Sequence, residues 1–523
     1  MKYYKMTDSD VLKPSKSHLE DEVPAEPISR LAKVLAVEPQ KPFSKNACQL
    51  YLCLLVAYGC SMTQGFDSNT FGGCLAMDNF LDEFDLHTAD AKALATAIYV
   101  IGNIVGCLFA GILSDIKGRR FGMFTGSVVC IVGAICQASS SQRGALLAGR
   151  FLLGVGAVTV QTSGSAYVSE ISNPAYRGVT AGLYNTCFSV GTMIATFLEY
   201  GLNFLPHPSP VQYRLPLALQ GAPSVMVVSF VWLLPESPRW LFAHNYFDKA
   251  RLMLVKFHGN GDPDSKMVEL ELEEMQDIIG LQDNTKWWDF RQLFATRGDR
   301  YRMFLVLCVA FFSEIDLPPT SYYFPILAAT VGITDARTQL LLNALQTPVL
   351  FFFACLSLTY IDVIGRRKML ICGSIGMSAS VIILTACTAN HEKSKVIGGV
   401  GIASLYLFLA IFAMSWTPNQ TLYPSEILRY KNRGKGMAAQ NFLNNLVKLP
   451  NTYISPIAIA NVGWKYYILY ICTDALGAVA IYFFFVETKG WNLEEIEEIF
   501  AAQNPVKASL KRERSTYIEG QLD

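Results

Sequence analysis

The stretch Asp115-Ile116-Lys117-Gly118-Arg119-Arg120 occurs twice in this chain, because Asp362-Val363-Ile364-Gly365-Arg366-Arg367 repeats its pattern D-x-x-G-R-R. Each copy lies at the end of a long apolar segment and is followed at once by another. Two segments later come Glu170 and Arg177 after the first copy, and Glu426 and Arg433 after the second. A charged turn repeated at matching places in two halves predicts an internally duplicated membrane protein.

The composition agrees with a membrane protein. Of the 523 residues, 51% are hydrophobic and only 16% are charged, whereas soluble domains contain about 25% charged residues. Lys plus Arg and Asp plus Glu number 43 each, so the net charge gives no indication of nucleic-acid binding. The thirteen cysteines lie mostly inside apolar runs without a metal-ligand spacing. We therefore interpret them as packing residues and predict no metal site and no cofactor.

Apolar runs of about 20 residues are long enough to cross a bilayer as helices. Twelve spans are predicted, at 48–66, 91–113, 121–139, 145–168, 178–204, 215–234, 303–331, 338–361, 369–388, 397–422, 436–458 and 464–486. The predicted domains are a disordered N-terminal tail at 1–46, a six-helix bundle at 47–234, a helical linker at 235–302, a second six-helix bundle at 303–486 and a C-terminal tail at 487–523. The fold class is therefore an all-α membrane protein with twelve helices in two bundles.

The basic residues predict an orientation. They concentrate in alternate turns, including both D-x-x-G-R-R copies, and in the linker, whereas the turn from Asp67 to Asp90 has none. The positive-inside rule places the basic turns in the cytoplasm, and an even number of spans puts both termini there too. The linker reads as short amphipathic helices, at Phe247–Phe257 and Met267–Leu281, with a further apolar patch near Trp287 and Trp288. A solvated connection between the halves is the competing interpretation.

The charged turns predict an ion-pair network. Gly118 and Gly365 permit tight turns between antiparallel helices. The Arg pair that follows each glycine can form charge-assisted hydrogen bonds to Glu170 or Glu426. Such a network would close one side of the protein in one conformation and break in another. The simpler alternative is that the basic residues only anchor the chain at the membrane surface.

Further motifs carry a family resemblance. They are Gly149-Arg150-Phe-Leu-Leu-Gly154-Val-Gly156, Tyr167-Val-Ser-Glu170-Ile with Arg177-Gly178, Pro235-Glu236-Ser237-Pro238-Arg239, Tyr423-Pro424-Ser425-Glu426-Ile427 with Arg433-Gly434, and Val486-Glu487-Thr488-Lys489-Gly490. Together they resemble the sugar porter family of the major facilitator superfamily over nearly the whole chain outside the tails. Tyr184-Asn185-Thr186 and Gly463-Trp464-Lys465 resemble most its fungal lactose and cellodextrin permease branch.

The resemblance implies two bundles that rock around a central site, with the linker helices beneath them. The implied gate network comprises Asp115, Arg119, Arg120, Glu170, Arg177, Glu236, Arg239, Asp362, Arg366, Arg367, Glu426, Arg433 and Glu487. The resemblance also places Asp67, at the end of the first predicted span, and Arg150, in the fourth, at the positions of a proton-coupling pair. Protonation of Asp67 would then release Arg150 and permit a conformational change. The alternatives are that Asp67 only begins an external loop or that the pair is structural.

A sugar site needs amides and hydroxyls for the sugar OH groups and aromatic faces for the ring. The candidates are Asn185, Gln161, Tyr322, Tyr323, Trp416, Asn419, Gln440 and Asn441. For each aromatic residue, helix packing or a place in the interfacial belt is an equally good interpretation. The amides are stronger candidates, because an amide inside a span needs a partner.

The seventh span departs from the family pattern. Where the family has Gln and then Gly-Asn before the Tyr pair, this chain has Ser313, then Asp316 followed by Leu317 and Pro318. The loss of these amides makes sugar specificity an open question. Glu314 and Asp316 are candidates for contacting a different ligand, for proton transfer, or for lining a wet outer mouth. Pro318 and the proline after it predict a break in this helix.

These features favour a proton-coupled importer of a sugar or polyol in a fungal plasma membrane, acting as a monomer whose partners are the solute, protons and the lipid bilayer. A carrier of a different small solute and a non-transporting sugar sensor are the alternatives. Sensors of this family tend to have very long cytoplasmic tails, whereas residues 487–523 form a short one. No phosphate-binding loop, HExxH or GxSxG motif occurs, which makes an enzyme the least favoured class.

Overall fold

A computed structural model describes residues 34–35, 37–38, 44–206, 209–282, 290–315, 320–390, 394–429, 432–491 and 493–510. Nearly all of the predicted N-terminal tail lies outside these residues, as do the end of the C-terminal tail and the side chain of Asp362. Trp287 and Trp288 of the linker, and Asp316, Leu317, Pro318 and Pro319 of the seventh span, lie outside them too. All regular secondary structure in the described part of the chain is helical, which confirms the predicted fold class.

The described residues form twelve successive spans. They are Lys45–Cys74, Ala89–Lys117, Arg119–Ser139, Arg143–Ile171, Arg177–Leu202, Val211–Leu219 with Ala222–Phe230, Arg297–Glu314 with Thr320–Thr330, Ala336–Ile364, Arg366–Asn390, Lys395–Ile427, Arg433–Val462 and Tyr467–Phe484. Eight helical stretches of the described residues are long and apolar enough to cross a membrane, and one of them, Arg433–Phe484, contains two of these spans. The first, fifth and seventh spans fall outside that set. The first and fifth are rich in polar residues, and the seventh is divided into two helices.

The first span is longer than predicted. We expected it to end at residue 66, but the helix continues to Cys74, so Asp67 lies within the helix and does not begin a loop. The polar and glycine-rich sequence is tolerated because it packs against the fifth span. A Cβ added at Gly65 would lie 1.9 Å from the carbonyl oxygen of Phe188, and one added at Gly191 would lie 2.2 Å from that of Met62. Tertiary packing of small residues thus overrides their weak helix propensity.

Each half has its own apolar core, and the two halves meet along three helix pairs. The second span packs against the eleventh, the fifth against the eighth, and Thr320–Thr330 against the first. We call the end of the molecule that carries the two D-x-x-G-R-R turns the motif end. Towards the opposite end, the ring of Tyr99 contacts that of Tyr322 at 6.4 Å between centroids. There too, the Arg337 guanidinium lies 4.8 Å from the Phe204 ring centroid.

The linker forms helices that dock on the first half. Pro238–Ala243, Phe247–Phe257 and Lys266–Gln282 follow the sixth span, and the buried Met253, Leu254 and Val268 belong to the core of that half. The second of these helices has the predicted bounds, and it buries Ala250 and Leu254 as the amphipathic pattern predicts, whereas Leu252 is exposed. Beneath the second half, the helix Leu493–Ala501 buries Ile496, Ile499 and Phe500 in that half's core.

Candidate functional site

The two D-x-x-G-R-R turns are built in the same way. Gly118 has a φ of 99° and Gly365 a φ of 95°, which side chains with a Cβ rarely adopt. The space beside each glycine is filled by a carboxylate. A Cβ at Gly118 would lie 2.4 Å from Glu236 Oε2, and one at Gly365 would lie 2.7 Å from Glu487 Oε2. Only glycine fits both requirements at these positions.

Each of these carboxylates lies at the start of a helix. Glu236 Oε1 accepts hydrogen bonds from the backbone N–H groups of Arg119 and Ser237, both at 3.0 Å. Glu487 accepts from the backbone N–H groups of Arg366 at 3.0 Å and Arg367 at 3.2 Å. The N-terminus of a helix favours a negative charge, because its first N–H groups have no partner within the helix. Burial raises the pKa of Glu236, and these N–H donors and the Arg120 cation oppose that effect.

An ion-pair network surrounds the first turn. Arg119 donates two parallel hydrogen bonds to Glu170, from Nε to Oε2 at 2.9 Å and from Nη2 to Oε1 at 3.0 Å. Its Nη1 also donates to Asp115 Oδ1 at 2.8 Å. The hydroxyl of Ser237 donates to Glu170 Oε2. One arginine therefore fastens the third span to the second and fourth spans, and Ser237 adds the linker.

The second turn has the corresponding network. Arg366 donates to Glu426 Oε1 from Nη2 at 2.8 Å and from Nε at 3.2 Å. The hydroxyl of Thr488 donates to Glu426 Oε2, as Ser237 does to Glu170. Because the side chain of Asp362 lies outside the described residues, the counterpart of the Asp115 contact is not among the contacts described.

The correspondence extends to the neighbouring residues. The hydroxyl of Tyr167 donates to the carbonyl oxygen of Pro235 at 2.9 Å, and that of Tyr423 to Val486 at 3.1 Å. Two further cations stack on aromatic rings in the same way. The Arg120 guanidinium lies 5.3 Å from the Trp232 ring centroid, and that of Arg367 lies 5.5 Å from Tyr482.

The remaining predicted members of the network lie around it. Arg177 and Arg433 are the first residues of the fifth and eleventh spans, and Arg239 follows Pro238 at the start of the first linker helix. The side chains of all three are half-buried. They thus belong to the motif end of the molecule, where the other network residues lie.

Asp67 and Arg150 are both fully buried in the first half. Neither carboxylate oxygen of Asp67 has a hydrogen-bond partner among the described residues, and Arg150 Nη2 also lacks one. Arg150 Nε donates to the carbonyl oxygen of Ala95 at 3.3 Å. Its guanidinium lies 4.1 Å from the Phe71 ring centroid and 4.8 Å from that of Tyr99. The two residues are therefore neighbours that make no direct ion pair in this conformation.

Three of the predicted binding residues are buried with unused polar atoms. Trp416 Nε1, Asn419 Oδ1 and Gln440 Oε1 have no hydrogen-bond partner among the described residues. Asn419 and Gln440 are held by their other amide atoms, which donate to the carbonyl oxygens of Ser415 and Gln420, both at 2.6 Å. A donor and two acceptors are thus available in the second half for a polar solute.

The other predicted binding residues have different surroundings. Tyr322 and Tyr323 are buried, and the hydroxyl of Tyr323 donates to the carbonyl oxygen of Thr452 at 2.9 Å. Asn185 and Asn441 are exposed, and Gln161 is half-buried. The structure therefore does not join all eight candidates into one buried cluster.

Several polar residues inside the bundles were not predicted. In the eighth span, Gln346 Nε2 donates to Asn343 Oδ1, and both residues are buried. The pattern Asn-x-x-Gln within an apolar run puts two amides on one helix face, and it was detectable in the sequence. Lys448 Nζ lies 5.7 Å from the Tyr322 ring centroid, and this cation also interacts electrostatically with Glu314. Glu199 in the fifth span is fully buried.

Comparison with known proteins identifies the family. The model of the family described as "Sugar (and other) transporter" matches residues 52–500. The chain is 28% identical over 454 residues to the "MFS-type transporter criB" of Aspergillus cristatus, covering 86% of this chain and 93% of that protein. It is 27% identical over 483 residues to the "High-affinity glucose transporter" of Kluyveromyces lactis, covering 87% and 86%. It is 28% identical over 499 residues to the "Quinate permease" of Neurospora africana, covering 90% and 92%.

Solved structures share the fold. The inward-open structure of the xylose transporter XylE from E. coli matches with a TM-score of 0.71 at 21% identity, covering 86% of this chain and 99% of that one. At this identity the likeness establishes the fold alone. The relatives are permeases and transporters, which supports the transporter interpretation over the enzyme. The chain therefore belongs to the sugar transporter family of the major facilitator superfamily and is a multi-pass membrane transporter.

Proposed function

We propose that this protein imports a sugar or a sugar-like polyol by alternating access, driven by protons, as a monomer in a fungal plasma membrane. The motif end and both termini face the cytoplasm, because the basic turns concentrate at that end. The fungal relatives named for glucose and for quinate, both polyhydroxylated six-membered rings, support a solute of this size and polarity.

The observation that carries the proposal is the buried pair of Asp67 and Arg150. A carboxyl inside a membrane protein is costly unless it is paired, hydrated or protonated. Among the described residues, Asp67 has no hydrogen-bonding partner and Arg150 Nη2 has none either, and the two side chains interact electrostatically. When Asp67 is ionised, its attraction to Arg150 favours a conformation that brings them together. Protonation removes that attraction, so the bound proton changes the balance between the two conformations.

The networks at the motif end supply the second element of the mechanism. Each ties the spans of one half to the segment that follows that half's last span, through Glu170 and Ser237 or through Glu426 and Thr488. We propose that both networks are intact in one of the two transport conformations and open in the other. Their nearly equal composition lets the two halves contribute to the switch symmetrically.

The solute is held mainly by the second half. Trp416, Asn419 and Gln440 each present a polar atom without a partner in the described part of the chain, and amides and an indole N–H suit the hydroxyl groups of a polyol. Buried polar groups without partners are costly. Occupation of these atoms by a solute that has its own hydroxyl groups would remove that cost.

A transport assay tests the proposal. Cells that express the chain are given labelled D-glucose, D-xylose, xylitol or quinate, with and without a protonophore. We expect accumulation of at least one of these solutes, and the protonophore should abolish it. Asp67→Asn should lose accumulation against a gradient but retain exchange of labelled for unlabelled solute, since exchange needs no net proton movement. Undiminished accumulation in the Asp67→Asn variant would refute the coupling role.

A second candidate is a carrier of an anionic polyol. Lys448 places a cation beside Tyr322, and the sugar-contact amides expected in the seventh span are absent from the sequence. A hydroxy-carboxylate such as quinate would be attracted to this cation. Competition between labelled D-glucose and unlabelled quinate distinguishes the two candidates, and Lys448→Met should weaken only the binding of the anion. Growth signalling without uptake of any probe would instead favour a sensor.

A further inference from the structure

The first half contains a second buried carboxyl besides Asp67. Glu199, in the last turns of the fifth span, is fully buried, and neither carboxylate oxygen has a hydrogen-bond partner among the described residues. Its carboxyl group occupies the space beside Gly73, where an added Cβ would lie 1.8 Å from Oε2. A buried charge without a partner costs several kcal/mol. Glu199 is therefore a buried carboxyl whose negative charge no described residue stabilises through a hydrogen bond.

The neighbouring titratable groups lie in order along the first span. Asp67 comes first, then Phe71, which lies under the Arg150 guanidinium, and then Gly73 and Cys74 beside Glu199. The thiol of Cys74 interacts electrostatically with both Glu199 and Arg150. At a rise of about 1.5 Å per residue, Gly73 lies roughly 9 Å beyond Asp67 towards the end opposite the motif end.

A polar seam of hydroxyl groups lies between these levels. Thr192, Thr196 and Glu199 lie on one face of the fifth span, at the spacing of successive helical turns. The hydroxyl of Thr192 donates to the carbonyl oxygen of Gly65 at 3.0 Å and accepts from Asn69 Nδ2 at 3.3 Å. That of Thr196 donates to the carbonyl oxygen of Thr192 at 3.0 Å. The interface between the first and fifth spans thus contains hydroxyl groups from the level of Asp67 towards Glu199.

The two halves also touch at the end beyond Glu199 in this conformation. Phe204, which follows the fifth span, contacts Arg337 at the start of the eighth. Separation of the halves at this end would expose the region of Glu199 to water first and that of Asp67 after it. Water would lower the cost of ionising Glu199.

We propose that Glu199 is a proton-relay residue that passes protons from the outer side to Asp67, a role that rests on the proposed proton-coupled transport. The carboxyl of Glu199 releases its proton, which travels along water and the hydroxyl seam to the carboxylate of Asp67. Glu199 is left as an anion until it takes up another proton from the outer solution. Asp67 couples proton movement to solute movement, and Glu199 determines the rate at which protons reach Asp67.

The test uses the full-length protein in proteoliposomes, with a labelled probe that the wild-type chain accumulates from the four named above. Two quantities are measured over a range of external pH: the initial rate of accumulation driven by a proton gradient, and the rate of solute exchange at equal pH. Glu199→Gln should lower the initial rate of accumulation about tenfold at alkaline external pH, where protons are scarce. The rate of exchange and the proton-to-solute ratio should not change. Glu199→Asp should restore most of the rate.

The control is Glu83→Gln. Glu83 lies at the same end of the molecule and is paired with Arg214 at 3.3 Å, and this variant should behave like the wild type. Wild-type rates for Glu199→Gln at every pH would overturn the relay, and so would a loss of exchange that Glu199→Asp does not restore. If wild-type uptake ignored the proton gradient, the proposed coupling itself would fail, and that result does not depend on Glu199.

Discussion

At the scale of single residues, two glycines and two carboxylates set the geometry of the motif end. Gly118 and Gly365 adopt left-handed φ values, and each leaves room for the carboxylate that accepts from the next helix. A conformation of this kind costs other residues about 1–3 kcal/mol. An added methyl group would also displace Glu236 or Glu487 from the N-terminus that it stabilises.

We therefore predict that Gly118→Ala and Gly365→Ala each destabilise the protein by about 2–4 kcal/mol and lower its thermal midpoint. The measurement is thermal unfolding of the purified protein in detergent. Gly111→Ala is the matched control, because nothing lies within 4 Å of its added Cβ. Replacing a helical glycine that has free space beside it with alanine should raise the free energy of unfolding by up to about 1 kcal/mol. Equal effects of all three substitutions would contradict this explanation.

The burial of individual carboxyl groups could not be predicted from the sequence. The sequence makes Asp67 a candidate for a functional role and places it at the end of the first span, whereas the structure places it within the helix. Packing of Gly65 and Gly73 against the fifth span decides where the helix ends, and it depends on residues more than a hundred positions away. Glu199 was missed because a lone Glu close to the end of a predicted span reads as an interfacial residue.

At the scale of elements, the duplicated turn predicts which helices are fastened together. The sequence pairs Arg119 with Glu170 and Arg366 with Glu426, and these pairs do form. It does not predict that Ser237 and Thr488 complete each network, because a hydroxyl beside a Glu has no signature of its own. The matching contacts fasten corresponding helices in the two halves.

This equivalence gives a prediction. Glu170→Gln and Glu426→Gln each remove the charge that Arg119 or Arg366 holds, which is worth about 1.5–3 kcal/mol. Both variants should reduce the uptake rate by similar factors of about 10 to 100. In the double variant the loss, expressed as a free energy, should be smaller than the sum of the two single losses, because the two networks act on one conformational change. Initial uptake rates at equal surface expression provide the measurement.

The control for this pair of variants is Lys117→Gln. Lys117 lies in the same turn, but its side chain is exposed, so removing its charge should change uptake less than twofold. A large effect of Lys117→Gln would support the simpler interpretation, in which the basic residues only anchor the turns. Strongly unequal effects of the two Glu variants would argue against a symmetric switch.

At the scale of the whole molecule, the linker is fastened to the first half by a buried ion pair. His258 Nδ1 lies 2.6 Å from Glu271 Oε1, and Nε2 lies 3.0 Å from the carbonyl oxygen of Ile171 at the end of the fourth span. Both ring nitrogens face acceptors, so His258 donates from both and is a cation. Burial and the Arg177 cation lower the pKa of His258, but Glu271 and the carbonyl of Ile171 outweigh them and raise it above 6.5.

The sign of the pH dependence follows. A His whose pKa is raised by folding stabilises the protein fully below its unfolded pKa of about 6.5, and the stabilisation is lost as the pH rises through the folded pKa. We predict that the thermal midpoint of the wild type exceeds that of His258→Asn at pH 6 and that the difference shrinks by pH 9. His244→Asn is the control, since His244 is exposed, and it should differ little from the wild type. A difference that is constant with pH would show that His258 is not charged.

The close contact of the first and fifth spans, through Gly65 and Gly191, has a consequence for energy conversion. Two helices whose backbones touch cannot slide or separate without losing that fit, so the proposed alternating access moves them as one body. Asp67 and Glu199 are carried on this body at a nearly constant separation throughout the cycle. In the proposed transport cycle the spacing of these two acids is thus a fixed length, and the stages differ in the access of water to each acid and in the distance from Asp67 to Arg150.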